Sequence, residues 1–394
     1  MTPSLPILRL LPGREVHLKN RHHAIFKNSV AVFPDAPNGS IVDVRSSTSE
    51  FLCYATLNAD AYICGRAIAF EEGDPLKSLR NTIARSIAMR SRFFTDAATN
   101  AYRLINAEGD GVPGLIVDRY DTTIVVQLTT LGMDRLRDWI TDLLMELVKP
   151  AAIFEKSTSP ARKKENLEPK EGWLRGSGDN MITVTERGLQ FLIDLSGGQK
   201  TGLFIDQREM RSLVRSIAKD RTVLDCCSYV GGFSLSALAG GAHSADAVDY
   251  DAAALEQAKK HIAMNDMDVQ KFQAIPEDVF NFLRRKPHPH QYDFIVLDPP
   301  AFAKRSSDIE PAKKAYTDLN RLALQILPQG GMLLTCSCSY QIDVTLFQQI
   351  VFNAARQAKR DVRILQRHRQ AFDHPVNLYH PEVDYLKSLL LWVE

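Results

Sequence analysis

The amino-acid sequence predicts an α/β protein whose C-terminal half is a doubly wound sheet with an antiparallel last strand. β-like runs and helices alternate regularly from about residue 186 to residue 358. The chain then closes with two β runs that have no helix between them, Asp361–Gln366 and Tyr385–Val393. Residues 1 to about 72 instead contain short β-like runs separated by turn residues, a pattern typical of a small β-barrel.

The length and composition are those of a globular protein with more than one domain. At 394 residues the chain exceeds what one compact core usually holds, so we expect two or three domains. Hydrophobic residues make up 45% of the chain, and no segment approaches the ~18 consecutive apolar residues of a membrane span. Because there is also no apolar leader behind a basic start, we expect a cytoplasmic protein without a membrane partner.

The cysteines are expected to be reduced thiols. Six cysteines in so long a chain do not make a disulfide framework. Neither the Cys226-Cys227 pair nor the Cys336/Cys338 pair has the C-x-x-C spacing of zinc sites. We therefore predict no metal site.

The charge balance argues against a protein that coats nucleic acid over its whole surface, because the net charge is only +1. Cations do cluster in three segments: Lys77, Arg80, Arg85, Arg90 and Arg92; Arg162, Lys163 and Lys164; Arg356, Lys359, Arg360, Arg363, Arg367 and Arg369. Each cluster is more often a solvated face than a binding site. Three of them together modestly favour an anionic partner.

The N-terminal segment, residues 1–72, is predicted to contain short β-like runs. Examples are Ser29–Phe33, Ser40–Val44, Phe51–Ala55 and Ala61–Arg66. Pro34, Pro37, Asn38 and Gly39 form the turns between them. Such barrels often bind RNA. The preceding stretch Gly13–His23 mixes cations with few apolar residues, so we expect an exposed helix or loop there.

The acidic break at residues 71–75 is a plausible boundary before a central α+β unit, residues 73–185. Residues 76–95 are predicted to form a helix, since Leu79, Ile83 and Ile87 follow the helical period. Further elements are strands at Tyr102–Asn106, Leu115–Tyr120 and Thr123–Leu128, a helix at Asp134–Val148, and strands near Ile153 and Met181. Residues 171–180 look like a loop.

Residues 186–394 form the predicted doubly wound domain. A hairpin-like run, Leu189–Leu195, precedes Asp206, which is well placed to cap a helix. The expected strands are Thr222–Asp225, Ala245–Asp249, Phe272–Ile275, Tyr292–Leu297 and the run after Gly330-Gly331. The expected helices are Phe233–Ala239, Ala252–Met264, Val279–Arg285, Ala312–Leu327 and Val344–Ala358.

Acidic residues end three successive strands of this domain. Asp225 precedes a small-residue loop with Gly231-Gly232, Asp249 ends the second strand, and Glu277-Asp278 the third. The loop is not G-x-G-x-x-G, and an acid beside it would repel a pyrophosphate. Three such acids suit the parts of S-adenosylmethionine: the first its sulfonium and ammonium, the second its ribose and the third its adenine. S-adenosylmethionine is therefore favoured over NAD. The alternative, that these acids are helix N-caps, is strongest for Asp278.

Two further motifs end the fourth and fifth strands. The prolines of Asp298-Pro299-Pro300 stiffen the exit from one strand and project Asp298 into the crevice where such sheets bind ligands. In Gly330–Ser339, Cys336 and Cys338 lie where an apolar run meets the next loop. Either thiol could be a nucleophile or a small buried hydrophobe.

These motifs resemble the bacterial 23S ribosomal RNA cytosine-5 methyltransferases, a class I S-adenosylmethionine-dependent family with an N-terminal PUA domain. The resemblance spans nearly the whole chain. It is carried by Gly13-Arg14-Glu15, Arg21-His22, 109–114, 162–165, 200–202, 206–208, 228–233, 298–302, 337–339 and 385–387. Two departures are His23-Ala24, where the family usually has Pro-Trp, and Ala301, where it commonly has Lys.

The resemblance implies a fold, a reaction and a set of site residues. The fold would be a PUA β-barrel (residues 1–72), a small α+β central domain (73–185) and a Rossmann-like methyltransferase domain (186–394). Cys338 would add to C6 of cytosine, Asp298 would assist, and Cys336 would be a packing thiol. The expected cofactor-binding residues are Asp225, Ser228, Gly231, Asp249, Asp278 and Asp298, together with Lys200, Gln207 and Arg208. The expected substrate-binding residues are Pro299, Phe302, Arg14, Lys19 and Arg21.

The implied partner is 23S rRNA or a large-subunit ribosomal precursor, with the protein a monomer or homodimer. Two alternatives stay open. One is a guanine N7 or N2 RNA methyltransferase of related architecture, because the Asp-Pro-Pro-x-Phe motif alone does not exclude it. The other is a catalytically inactive RNA-binding assembly factor, against which the presence of Asp225, Asp249, Asp298 and Cys338 together argues.

Overall fold

The computed structural model describes residues 5–197, 202–285 and 292–394. The chain divides into two compact units. The first comprises Met1–Gly188, Ile193–Ile205 and Phe372–Val383, and the second comprises Leu189–Leu192, Asp206–Ala371 and Asp384–Glu394. None of the helices within the described ranges is long and apolar enough to cross a membrane.

A six-stranded sheet opens the first unit. Its strands are β1 (Ile7–Leu10), β2 (Ala24–Phe26), β3 (Val30–Val32), β4 (Ile41–Arg45), β5 (Phe51–Leu57) and β6 (Ile63–Ala69), in the order β2-β6-β5-β4-β1-β3. The short helix α1 (Val16–Lys19) packs Leu18 into the core of this sheet. The sequence did not predict β1 or β2, which are only four and three residues long.

The central part of the first unit combines one sheet with three helices. The strands are β7 (Ala101–Asn106), β8 (Leu115–Tyr120), β9 (Thr123–Leu128), β10 (Ala152–Ser157) and β11 (Lys170–Arg175), in the order β11-β10-β9-β8-β7. The helices are α2 (Pro75–Arg90), α3 (Leu131–Arg135) and α4 (Arg137–Val148). Asp74 caps α2 by accepting hydrogen bonds from the amides of Leu76 and Lys77.

Three predictions for this part were wrong in detail. The helix α2 ends at Arg90 instead of residue 95. The predicted helix Asp134–Val148 is two helices that meet at Leu136. Residues 170–175, assigned mostly to a loop, form the edge strand β11, which pairs antiparallel with β10. An edge strand can be polar and contain glycine, so its sequence lacks the apolar alternation on which the prediction relied.

The two strands β12 (Met181–Glu186) and β13 (Leu189–Asp194) form a separate two-stranded sheet. Asp206 was predicted to cap the following helix, α5 (Arg208–Ile217), and this prediction was wrong. Asp206 lies in a single 3-10 turn, Gln207 occupies the cap position, and no side chain caps the helix. The Asp206 carboxylate instead accepts a hydrogen bond from the hydroxyl of Tyr385.

A seven-stranded sheet forms the second unit, in the order β16-β15-β14-β17-β18-β20-β19. Its strands are β14 (Thr222–Cys226), β15 (Ser244–Asp249), β16 (Phe272–Pro276), β17 (Phe294–Leu297), β18 (Met332–Ser337), β19 (Val362–Arg369) and β20 (Lys387–Val393). Its other helices are α6 (Gly232–Ala239), α7 (Ala252–Met264), α8 (Val279–Arg284), α9 (Ile309–Ile326) and α10 (Val344–Ala358). Only β20 runs antiparallel to both neighbours, which confirms the predicted fold class.

The register of this sheet brings the predicted motifs to one edge. Cys226 of β14 pairs with Leu297 of β17, and Leu297 pairs in turn with Thr335 of β18. β14 and β17 therefore end at the same level, and β18 continues two residues further, to Ser337. The segments that follow all three strands lie at the carboxyl edge, where α/β sheets bind ligands.

Candidate active site

Asp225 lies fully buried in β14, one residue before the strand ends. Its Oδ2 accepts hydrogen bonds from the amide of Ser234 at 2.9 Å and from the Ser234 hydroxyl at 2.8 Å. Its Oδ1 has no hydrogen-bond partner among the described residues. Burial raises the pKa of this carboxyl to about 7. A cationic ligand group would compensate the buried charge.

The loop between β14 and α6 has a strained backbone. Cys227, Tyr229 and Gly231 have φ values of 58°, 49° and 71°. A Cβ at Gly231 would stand 2.7 Å from Cβ of Ala258, so glycine is required there for space as well as for φ. Non-glycine residues at positive φ carry strain and cluster at ligand sites. The hydroxyl of Ser228 in this loop is buried without a partner among the residues described.

Asp249 and Asp278 differ in burial. Asp249 is buried at the end of β15, where its Oδ2 accepts from the amide of Tyr229 and its Oδ1 from that of Asp251, both at 2.9 Å. Asp249 therefore braces the β14–α6 loop. Asp278 is exposed, and its Oδ1 caps α8 by accepting from the amide of Asn281 at 2.9 Å. Capping of α8 therefore engages one of the two carboxylate oxygens of Asp278, Oδ1.

Asp298 follows β17 and is half-buried. Its Oδ1 accepts a hydrogen bond from Nε2 of Gln207 at 2.8 Å, while Gln207 Oε1 is buried with no partner in the described part of the chain. Arg208, next in sequence, is buried in the first turn of α5. The side-chain amide of Gln207 therefore contacts the carboxylate of Asp298. Lys200, the remaining predicted member of this group, lies outside the described residues.

Cys338 and Cys336 occupy different environments. Cys336 is fully buried inside β18, and burial raises its thiol pKa well above the ordinary value. Cys338 is the first residue after β18 and is half-buried, and its Sγ donates to the carbonyl of Pro299 at 3.8 Å. The more accessible thiol is therefore next to the Asp298-Pro299 turn.

The loop that carries Cys338 is held by residues to which the sequence assigned no role. Tyr316 Oη lies 3.0 Å from Oγ of Ser339 and accepts from Oγ of Ser337 at 3.1 Å. Lys387 Nζ donates to the carbonyl of Ser339 at 2.6 Å. Burial raises the pKa of Tyr316 to about 12 and lowers that of Lys387 to about 8. For Lys387, the sequence signal that could have predicted a role is a lysine at the start of the apolar run 387–393.

Pro299 and Phe302, predicted to bind substrate, lie close to this loop. Pro299 is buried. The ring of half-buried Phe302 packs against that of Tyr316, with 4.7 Å between centroids. The amide of Ala303 donates to Oγ of Ser339 at 3.1 Å. The two segments after β17 and β18 are thereby fastened to each other, and Phe302 contributes packing to that connection.

Arg14, Lys19 and Arg21 lie in the first unit, and all three are exposed. Arg14 lines a cavity of about 220 Å³ with the exposed Tyr62. Lys19 forms an ion pair with Glu50 at 2.7 Å. The guanidinium of Arg21 stands 5.9 Å from the ring centroid of Phe70. Their role in substrate binding stays a prediction.

Two of the basic clusters lose a member in the structure. Arg90 is buried and forms a 2.7 Å ion pair with Asp110, and Arg162 is buried beside Asp134 at 2.9 Å. Both guanidinium groups hold the first unit together internally. They are therefore not part of a surface that contacts a partner, which corrects the clusters inferred from sequence.

The first unit also contains two histidines and a glutamate, His22, His380 and Glu382, whose candidate ligand atoms lie within 4.8 Å of one another. The imidazole rings stack with 4.3 Å between centroids and 21° between planes. The lone pairs of nearly parallel rings do not converge on an ion about 2.1 Å from each nitrogen. The Nδ1 of His22 also accepts from the amide of Ala24 at 3.2 Å, so this nitrogen already has a partner within the protein. We assign no metal to this cluster.

The strand ends of the second unit fit S-adenosylmethionine. The buried polar atoms without a hydrogen-bond partner within the described ranges include one from each of three residues predicted to bind cofactor: Asp225 Oδ1, Ser228 Oγ and Gln207 Oε1. Buried polar atoms are normally paired, so these three indicate contacts with a polar ligand. Together with the glycine turn and the sheet order, they define the class of S-adenosylmethionine-dependent methyltransferases.

Comparisons with known proteins agree with this class. A family model described as S-adenosylmethionine-dependent methyltransferase matches residues 162–379, and one for a PUA-like domain matches residues 8–70. A protein from Alteromonas mediterranea named ribosomal RNA large subunit methyltransferase I is 37% identical, over 97% of this chain and 97% of its own length. The chain therefore belongs to the S-adenosylmethionine-dependent methyltransferase family that includes this relative, which confirms the predicted cofactor.

Two solved structures share the fold at 24% identity, each covering 98% of this chain and 100% of its own. One is from Streptococcus mutans, is described as a SAM-dependent methyltransferase and has a TM-score of 0.84. The other is described as a methyltransferase complexed with S-adenosylhomocysteine and has a TM-score of 0.85.

Cofactor affinity is expected to depend on pH through Asp225. Its raised pKa of about 7 means that the carboxyl is neutral at pH 6 and ionised at pH 8. S-adenosylmethionine should therefore bind more tightly as pH rises through 7. Asp225→Asn should bind about 10- to 100-fold more weakly at pH 8, the scale of a lost charged hydrogen bond.

Calorimetric titration of cofactor between pH 6 and pH 8.5 measures this effect. Asp268→Asn is the matched control, because Asp268 is exposed and its carboxylate caps a 3-10 turn by accepting from the amide of Gln270. We expect the pH dependence to be lost in Asp225→Asn and retained in Asp268→Asn. Equal affinities for the wild type and Asp225→Asn at pH 8 would contradict the role given to Asp225.

Proposed function

We propose that this chain methylates C5 of a cytosine in large-subunit ribosomal RNA, with Cys338 as the nucleophile. The observation that carries the proposal is the juxtaposition of two strand exits. Half-buried Cys338, just after β18, contacts the carbonyl of Pro299, which directly follows Asp298 at the end of β17. A thiol and a carboxylate on neighbouring strands are the two groups that cytosine C5 chemistry needs.

Each group has a defined task in this reaction. The Cys338 thiolate adds its electron pair to C6 of the cytosine, which makes C5 nucleophilic. Asp298 hydrogen-bonds the N3/N4 edge of the base and supports protonation there as the adduct forms. After methylation the C5 proton goes to water, the proton gained at the N3/N4 edge is given back, the C5–C6 double bond forms again, and the electron pair of the C6–S bond returns to sulfur. The bound cofactor supplies the electrophilic methyl group on its sulfonium.

The cofactor would be held by the ends of β14, β15 and β16. Asp225 would face the cationic part, the Ser228–Gly231 loop would approach it closely, and Asp249 would lie at the ribose. Asp278 is proposed at the adenine. Gln207 would orient Asp298 through their 2.8 Å hydrogen bond, and Arg208 and Lys200 would line the same crevice.

Ribosomal RNA as substrate is supported by the relative's name and by the PUA-like domain. We propose three domains, 1–72, 73–185 and 186–394, in which the first contacts RNA through Arg14, Lys19 and Arg21. Such contacts act through phosphates and RNA shape. The target base must be unpaired or leave its stack to reach Cys338, with Pro299 and Phe302 beside it.

Identification of the modified nucleoside tests this function. The protein is incubated with methyl-labelled S-adenosylmethionine and with rRNA from its own organism, either naked or as large-subunit particles. The RNA is then digested and its nucleosides are separated by mass. We expect labelled 5-methylcytidine. A labelled guanosine would support guanine methylation instead, and bound cofactor with no labelled RNA from either substrate would support an inactive RNA-binding factor.

A further inference from the structure

We propose that Lys387 is a positioning residue that holds the Cys338 loop and favours ionisation of the Cys338 thiol. The inference rests on the proposed function, because it concerns how the proposed nucleophile is made reactive.

Lys387 extends alongside Cys338. As the first residue of β20, it pairs antiparallel with Ser337, the residue before Cys338. Its Nζ donates at 2.6 Å to the carbonyl of Ser339, the residue after Cys338. The backbone of Lys387 therefore holds one side of the cysteine and its ammonium holds the other. Such an arrangement fixes the point where β18 ends and the nucleophile begins.

Few other groups balance the positive charge of the Lys387 ammonium. Lys387 is 4% exposed, and Ser339 O is its one hydrogen-bond acceptor among the described residues. Two carboxylates also act on it, Asp384 and Asp343. Asp384 is paired with Arg369, and Asp343 accepts from the amide of Leu346 at 2.7 Å as the cap of α10. A buried ammonium without a close carboxylate favours a nearby anion.

The anion that we assign to this charge is the Cys338 thiolate, one residue from the Ser339 carbonyl that the ammonium contacts. Burial lowers the pKa of Lys387 to about 8, and interaction with Cys338 raises it. Reciprocally, the ammonium lowers the pKa of the thiol, as cations beside reactive cysteines do. Tyr316 and Cys336 also interact electrostatically with Cys338, and Asp298 interacts with Cys336. The effect of Lys387 is present below about pH 8 and fades as the lysine loses its proton.

The step that Lys387 assists is the ionisation of the thiol. The S–H bond of Cys338 breaks, the proton goes to water, and the electron pair stays on sulfur beside the ammonium. That pair then forms the bond to C6. Lys387 neither gains nor loses a proton in this step, so it acts on the substrate only through Cys338.

Alkylation of Cys338 tests the inference without RNA. The full-length protein is treated with iodoacetamide from pH 6 to pH 10, and modification of the Cys338 peptide is followed by mass spectrometry. Lys387→Met should raise the thiol pKa by about one unit and slow alkylation at pH 7 about tenfold, with the two rates converging near pH 10. Lys314→Met, which removes an exposed lysine of α9, should match the wild type.

A second variant separates charge from folding. Lys387→Arg keeps a positive charge at every pH tested, so it should preserve fast alkylation at pH 7 and extend the advantage above pH 8. Cofactor binding by each variant reports whether the second unit is folded. Identical pH profiles for folded Lys387→Met and the wild type would overturn the inference. If Lys387→Met does not fold, the Lys387→Arg variant decides. Alkylation rates equal to those of the wild type at every pH, including above pH 8, would overturn the inference.

The outcomes distinguish this inference from the proposed function. A lysine-dependent alkylation profile with a product other than 5-methylcytidine would retain the activated thiol and refute cytosine methylation. Formation of 5-methylcytidine by a protein whose thiol reactivity does not depend on Lys387 would refute the inference alone.

Discussion

Replacing Cys338 with alanine is expected to lower the rate of cytosine methylation by at least about 10³-fold, the scale of losing a covalent nucleophile. The sulfur of Cys338 is the atom that would bond to C6, and it contacts the carbonyl of Pro299 next to Asp298. Single-turnover methylation of rRNA with labelled cofactor measures the loss. Cofactor affinity should stay unchanged, because the residues proposed to bind cofactor lie at the ends of other strands.

Cys336→Ala is the matched control for this prediction. Cys336 lies two residues earlier, is fully buried, and burial raises its thiol pKa, so its removal should leave most of the activity. RNA that contains 5-fluorocytidine adds a direct readout, since fluorine at C5 cannot leave as a proton does. A covalent protein–RNA adduct should form with the wild type and with Cys336→Ala. Adduct formation by Cys338→Ala would show that the wrong thiol was chosen.

Asp298→Asn is expected to lower the methylation rate by about 10²- to 10⁴-fold, the range for loss of a general acid–base group. Asparagine is nearly isosteric, and its Oδ1 can still accept the 2.8 Å hydrogen bond from Gln207. The variant should therefore fold and bind cofactor while losing the proton that supports adduct formation. The measurement is the rate of adduct formation with 5-fluorocytidine RNA, together with turnover of ordinary rRNA.

The control for Asp298 is Asp293→Asn. Asp293 comes just before the same strand, β17, at the end away from Cys338, where its Oδ1 accepts from the amide of Thr222 at 3.1 Å. Its replacement should change the rate by no more than about twofold, since it touches none of the reacting groups. Equal losses in the two variants would indicate that Asp298 acts through strand stability.

Elements with strong local signals were predictable from the sequence. The helices α7 and α10 begin and end where predicted, because an apolar period continues through each and Asp251 or Asp343 caps its first turn. The doubly wound sheet with an antiparallel last strand was predictable from the regular alternation of strands and helices and from the two final β runs without a helix between them. The edge strand β11 was missed because its pairing with β10, and not its own pattern, makes it a strand.

The candidate site was predictable in part for the same reason. Acids that follow buried strands could be placed at one edge of the sheet from local sequence alone. The hydrogen bond between Gln207 and Asp298 joins residues 91 positions apart, and the Tyr385–Asp206 bond joins residues 179 apart. No local rule brings such pairs together. Asp206 was therefore assigned to a helix cap, and Lys387 received no role.

The position of β20 has a consequence for how the protein is made. This strand follows β19 in the sequence but lies between β18 and β19 in the sheet. During translation, β18 therefore keeps one unpaired edge until residue 393 has been synthesised, and unpaired edges invite association with other chains. Because the same late strand brings Lys387 to Cys338, we expect an incompletely translated chain to display a less reactive thiol than the finished protein.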